Sequence, residues 1–246
     1  MPEPKPVLII GGTRGTGLLI VRLLRKRDQR VRVLVRDPKH AAGRFDSSVE
    51  IVAGDLTKPE TLSPAISGAC HLIFTAGCQS GYPAREQRVK AVEYDGVIHT
   101  LNFARKVAFS GRFLYMTSSG VMTQNLATRC LNFWKGNTLV WRRRVEDEIR
   151  GSGVDYTVIR TGVLLNRPGG EHMIKVTQQS LPLAWSHRIA RADVAAVFLA
   201  ALDHPKASRT TFEVVWGPRG EQRPLQRMLE NLQRDDDLKG LRYETA

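Results

Sequence analysis

The sequence predicts an α/β fold, a doubly wound and mostly parallel sheet, on three observations. The apolar run Val7-Leu8-Ile9-Ile10 ends in a glycine-rich turn, Gly11 to Gly17, and the turn opens into an apolar stretch of helical length. Further β-branched runs recur at 31–36, 49–56, 69–77, 113–117, 155–160 and 210–216, separated by stretches of helical periodicity. The chain has 246 residues, 42% hydrophobic and 25% charged, which suits one large domain able to bury a full core.

The first strand–turn–helix is where a dinucleotide would bind. Glycines allow a sharp turn and close approach to a pyrophosphate, and the helix start offers free N–H groups. Gly11, Gly15 and Gly17, with an extra Gly12, give G-x-x-x-G-x-G, so Gly11, Thr13, Arg14, Gly15, Thr16 and Gly17 are candidate cofactor residues. The second strand ends in Arg36. In a doubly wound sheet that position lies beside the adenosine ribose. Arg14 and Arg36 together suit a 2′-phosphate, because guanidinium forks match phosphate geometry. NADP is therefore expected over NAD, although Asp37 could instead meet an unphosphorylated ribose.

Asp55 and Leu56 end the third strand. Asp55 faces the adenine edge or caps the next segment with Thr57. Residues 58–67 read as a short helix. Ala76 and Gly77 end the fourth strand, small enough for a ribose to lie against them or simply to turn the chain. A loop over 78–87 is expected above the mouth of the site, then a helix over 88–110. The fifth strand ends in Ser118-Ser119, at the carboxyl edge where such sheets hold ligands.

Residues 122–137 read as irregular, with Cys130, Phe133 and Trp134 lining a substrate pocket or a packed loop. Residues 138–150 form a helix on which Glu146 and Glu148 neutralise nearby arginines on a solvated face. A short strand or hairpin is expected within 171–183, then helices over 194–202 and 221–233. The tail from Asp235 onward is polar and expected to fray.

No apolar run is long enough to span a bilayer, and the N-terminus lacks a signal-peptide core, so a cytoplasmic protein is the expectation. Cys70, Cys78 and Cys130 match no metal spacing, and no metal is expected. The net charge of +13 suits a nucleic acid, an anionic membrane surface, an acidic protein or a phosphorylated cofactor. No aromatic-interleaved basic motif is present, so a solvated basic surface is expected rather than a nucleic-acid site.

Taken in order, the glycine turn, Gly54-Asp55-Leu56, Val92-Glu93-Tyr94-Asp95-Gly96-Val97, Ser118-Ser119-Gly120-Val121, the run from Glu146 through Ser152 to Arg160, and Ile189 to Ala195 resemble the atypical short-chain dehydrogenase/reductases, the NmrA-like branch. The resemblance covers nearly the whole chain. It implies a Rossmann-type fold over 1–246, NADP as the usual cofactor, and a small C-terminal substrate lobe, formed mainly by about 162–190 and 207–246. That superfamily's usual proton donor is a tyrosine four residues before a lysine, and this chain has no Tyr-x-x-x-Lys. Counted back from Glu146, Thr138 and Arg142 occupy those positions. Arg142 can hold a ribose but cannot shuttle protons. Tyr156 and Arg160 share the spacing but lie in a strand. Ser118, Ser119, Thr138 and Arg142 are the candidate catalytic residues. The expected activity is reduction of a small carbonyl, enone or quinone-like substrate. The alternative is a non-catalytic NADP-binding regulatory or assembly factor with a basic surface.

Overall fold

A computed structural model of the protein describes residues 4–78, 83–220 and 224–238. In chain order the strands and helices are β1 (Val7–Ile10), α1 (Gly15–Arg25), β2 (Val31–Val35), α2 (Pro38–Ala41), β3 (Val49–Ala53), α3 (Ser63–Ile66) and β4 (His71–Phe74). Then come α4 (Glu86–Lys90), a π-helical turn (Ala91–Asp95), α5 (Gly96–Lys106), β5 (Arg112–Ser118), α6 (Leu126–Trp134), α7 (Thr138–Gly151) and β6 (Asp155–Thr161). The last are β7 (Val163–Leu165), β8 (Ile174–Thr177), β9 (Arg188–Ala190), α8 (Arg191–Asp203), β10 (Thr210–Trp216) and α9 (Leu225–Leu229).

The main sheet runs β3-β2-β1-β4-β5-β6-β10-β8, and β7 and β9 pair in a small second sheet. Every neighbour pair in the main sheet is parallel except β10 with β8. The strand order reverses between β1 and β4, the crevice where such sheets bind ligands. The expected doubly wound α/β fold is thus the one observed.

Helices cover both faces. On β1, Val7 and Ile9 pack into one apolar cluster with Ile20 and Leu24 of α1 and Val194 and Phe198 of α8. Leu8 and Ile10 enter the opposite cluster with Val97 and Leu101 of α5 and Val145 and Ile149 of α7. A strand buried on both sides has no polar face, which is why β1 reads as a continuous apolar run.

The structure revises several expectations. The helix expected over 88–110 starts at Glu86, passes through the π-helical turn and ends at Lys106. The stretch expected to be irregular contains α6, started by a capping box in which Asn125 Oδ1 accepts the Thr128 N–H and Thr128 Oγ1 accepts the Asn125 N–H. The last helix is shorter than 221–233, and residues 221–223 lie outside the described residues.

Glu146 is not on a solvated face. It is fully buried where α7 lies against the sheet, 2.6 Å from Arg160 Nη2 and 3.0 Å from Arg150 Nη2. Asp235 is not frayed either. It is buried, accepts the Thr211 N–H and the Tyr156 hydroxyl, and lies 3.3 Å from Arg150 Nε. Of the tail, residues 239–246 fall outside the described residues, as do 79–82 of the loop expected over the mouth.

Candidate nucleotide site

The site is built at the β1–α1 turn. Gly11 adopts φ +92°, and a Cβ there would stand 2.6 Å from the Ala76 backbone nitrogen. A Cβ on Gly17 would stand 2.2 Å from the Gly11 carbonyl oxygen. Both positions therefore require glycine, and the turn is pressed against the exit of β4 at Thr75–Ala76. No side chain caps α1, so its first N–H groups are left for a ligand. Thr16 Oγ1, in the first turn of α1, is buried and has no hydrogen-bond partner among the described residues. A free helix start and an orphaned buried hydroxyl fit a pyrophosphate at this turn.

Three guanidinium groups gather beside it. Burial lowers the pKa of Arg14, and Arg36 and Arg44 are close enough to lower it further. Arg44 Nη1 donates to the Thr13 carbonyl at 3.3 Å, which ties the 3-10 turn Ala42–Arg44, just after α2, to the glycine turn. No carboxylate lies within ion-pair distance of Arg14, Arg36 or Arg44 among the described residues. A cluster of like charges is unfavourable unless an anion joins it. From the opposite side, Arg191 at the start of α8 lies near Gly15, its Nε 3.6 Å from where a Cβ would be. Arg191 is held there by the Leu164 carbonyl and Asn166 Oδ1.

The other candidates on this edge are more local. Asp37 accepts the Lys39 N–H at 2.9 Å. Asp55 accepts both the N–H and the hydroxyl of Thr57, closing a turn rather than capping a helix. Leu56 is buried, and a Cβ on Gly96 would stand 2.9 Å from its Cβ.

The catalytic candidates meet around a residue that sequence reasoning did not select. Glu93, on the π-helical turn, is buried. Its Oε2 accepts the Thr138 hydroxyl at 2.6 Å and Arg142 Nε at 2.8 Å, and its Oε1 accepts the Cys78 N–H at 2.9 Å. Burial alone would raise the Glu93 pKa. The Arg142 charge and these hydrogen bonds outweigh burial and hold the carboxyl below the ordinary glutamate range. Burial opposes the charge on Arg142, but Glu93 more than compensates and raises its pKa. A Cβ on Gly77 would lie 3.4 Å from both Arg142 Nη2 and Glu93 Oε1, so the pair stands directly against the exit of β4.

Thr138 thus spends its proton on Glu93 and is not a poised acid. Nor is Tyr115, which is buried beside this network and whose pKa burial pushes far up. Ser119 is withdrawn from the surface. Its hydroxyl is fully buried and donates to Glu213 Oε2 at 2.6 Å, on β10. The reason is register: β5 and β6 pair through Ser118–Thr161, and the chain then turns inward so that the Ser119 N–H donates to the Thr161 carbonyl. Glu213 Oε1 accepts the Leu181 N–H, clamping the loop after β8 to this edge. Burial raises the Glu213 pKa, and the Ser119 and Leu181 hydrogen bonds offset part of that shift. Ser118 remains half-buried, donating to the Ser119 carbonyl, and is the accessible hydroxyl of the two. No cluster of metal-ligating side chains is present among the described residues.

Residues 11–205 match the NAD(P)H-binding family, so the chain belongs to that family. It is 28% identical to sanguinarine reductase of Eschscholzia californica, over 87% of this chain and 90% of that one. It is 26% identical to the photosystem II assembly factor Ycf39 of Trieres chinensis, over 87% of this chain and 64% of that one. Among solved structures, the oxidoreductase ylbE of Lactococcus lactis superposes with a TM-score of 0.76 at 15% identity, over 92% of this chain and 96% of that one. At that identity the likeness concerns the fold.

Proposed function

We propose that the protein is an NADP(H)-dependent oxidoreductase that reduces a small carbonyl, enone or quinone-like substrate without the usual tyrosine–lysine pair. The observation that carries the cofactor preference is the gathering of Arg14, Arg36 and Arg44 beside the glycine turn, with no carboxylate at ion-pair distance from them among the described residues. A 2′-phosphate supplies the missing negative charge, and three guanidinium groups suit it better than a ribose hydroxyl does. The reductase reading draws support from sanguinarine reductase, which matches this chain nearly end to end.

When bound, the nicotinamide supplies the hydride. The chain's own residues bind and orient. The α1 N-terminus and Thr16 hold the pyrophosphate, and Arg14, Arg36 and Arg44 hold the 2′-phosphate. Arg142, fixed by Glu93 at the exit of β4, provides a permanent cation next to Ala76 and Gly77, where a ribose is held. Arg142 moves no proton, since it stays charged throughout the accessible pH range. Ser118 offers a hydroxyl to a substrate oxygen, and the proton comes from water or from the substrate itself. Oxidation of NADPH by purified protein across a panel of carbonyls, enones and quinones tests the reading. A panel with no turnover contradicts it.

One observation supports a second reading. The Thr138 hydroxyl and Arg142 are both engaged by Glu93, and Ycf39, a relative, is an assembly factor. A regulatory or assembly protein that holds NADP and contacts an acidic partner would bind NADPH without turnover and retain that partner in a pull-down.

A further inference from the structure

Helix α6 is amphipathic in the wrong sense for a helix that packs only on its own fold. Its uncharged polar side chains turn toward the fold: Thr128 is buried in the capping box, and Asn132 Oδ1 accepts the Leu139 N–H. Three of its large apolar residues face out. Leu126 is 76% exposed, Phe133 72% and Trp134 51%. The patch continues onto the loop after β8, because Asn125 Nδ2 donates to the Leu183 carbonyl and Trp185, two residues on, is 66% exposed. Burial of large side chains is the main stabilising term in folding, so a cluster left in water marks a surface with a use.

The charge around the patch says what covers it. Between Asp95 and Glu146 the sequence contains no acidic residue. Arg129 and Lys135 are exposed on and beside α6, and Arg188 is exposed near Trp185. Trp134 O accepts the Ala84 N–H, which brings exposed Arg85 and Arg88 to the same side. Glu86 lies between those arginines in sequence and accepts the Trp141 Nε1–H. A second copy of this chain is a poor occupant, since each carries +13 and the two basic rims would meet. Exposed Leu, Phe and Trp ringed by Arg and Lys is the composition of a helix that lies in the interface of an anionic bilayer.

We propose that α6 and the Trp185 loop form a docking surface for an anionic lipid membrane, on which the protein sits peripherally. Leu126, Phe133 and Trp134 enter the headgroup–acyl boundary, and Arg129, Lys135, Arg85 and Arg88 contact lipid phosphates.

The full chain should co-float with phosphatidylcholine vesicles containing phosphatidylglycerol and not with phosphatidylcholine alone. Brominated acyl chains should quench its tryptophan fluorescence. The variant L126S/F133S/W134S keeps every charge and alters only exposed positions. It should lose vesicle affinity by about a hundredfold or more, the scale of removing two or three buried apolar side chains, with an unchanged melting temperature. Anionic-vesicle binding that this variant keeps in full would reduce the interaction to surface charge and overturn the proposal. So would a wild-type protein that ignores anionic vesicles, that is dimeric through this face in light scattering, or that loses an acidic protein partner when the three residues change.

Discussion

The contact between Glu93 and Arg142 makes a sharp prediction. Glu93→Ala removes a carboxylate whose side chain is 6% exposed and leaves the Arg142 guanidinium, 16% exposed, without its counter-charge. It also strands the Cys78 N–H and the Thr138 hydroxyl. Breaking a buried ion pair from one side costs about 3–5 kcal/mol. Arg142 keeps some access to water, which places the expected loss near the lower end, about 3 kcal/mol. Equilibrium urea unfolding followed by circular dichroism and tryptophan fluorescence reads this directly. In the double-mutant cycle with Arg142→Ala, the two losses should fall short of additivity by about 2 kcal/mol, since each variant already breaks the shared contact. The pH dependence has a defined sign. The folded pKa of Glu93 is depressed, so its contribution is fully present above the ordinary glutamate value and is lost as pH falls through the folded value. The wild type should therefore lose more stability on acidification than Glu93→Ala does. Additive single losses, or parallel acid profiles, would refute the coupling.

Two further outcomes follow from the same geometry. Arg44→Ala should weaken NADPH binding by about tenfold and leave NADH binding unchanged, the scale of one hydrogen bond to a charged group, read by calorimetry. Glu213 has a raised folded pKa, so the fold favours its protonated form, and its contribution to stability falls as pH rises from the ordinary glutamate value through the folded one. Glu213→Gln keeps partners for Ser119 and Leu181 without a charge, and thermal melts should show that this fall has gone.

The sheet was legible because its signals are local. A continuous apolar run before a glycine turn can only be a strand buried on both faces, and the structure gives Gly11 and Gly17 no room for a side chain. The glycine turn and the pairing of Arg14 with Arg36 are read from positions fixed by the topology of any doubly wound sheet. Arg44 was not legible, because it reaches Thr13 from a separate turn 31 residues away. Glu93 was hidden for another reason. A glutamate in a helical stretch reads as solvated, and only the π-helical turn and the packing of α7 reveal it as buried. Helix α6 escaped because its outward apolar face breaks the inward periodicity by which helices are recognised. The same burial of polar groups explains Glu146, which meets Arg150 on its own helix, and Asp235, which meets the same arginine from the segment after α9.

The central claim is that three arginines at the glycine turn select a phosphorylated dinucleotide. Calorimetric titration of the full chain with NADPH and with NADH tests it most directly. The account predicts NADPH binding tighter by tenfold or more, about 1.4 kcal/mol, with the difference shrinking as salt screens the 2′-phosphate. Equal affinities, or tighter binding of NADH, would contradict it.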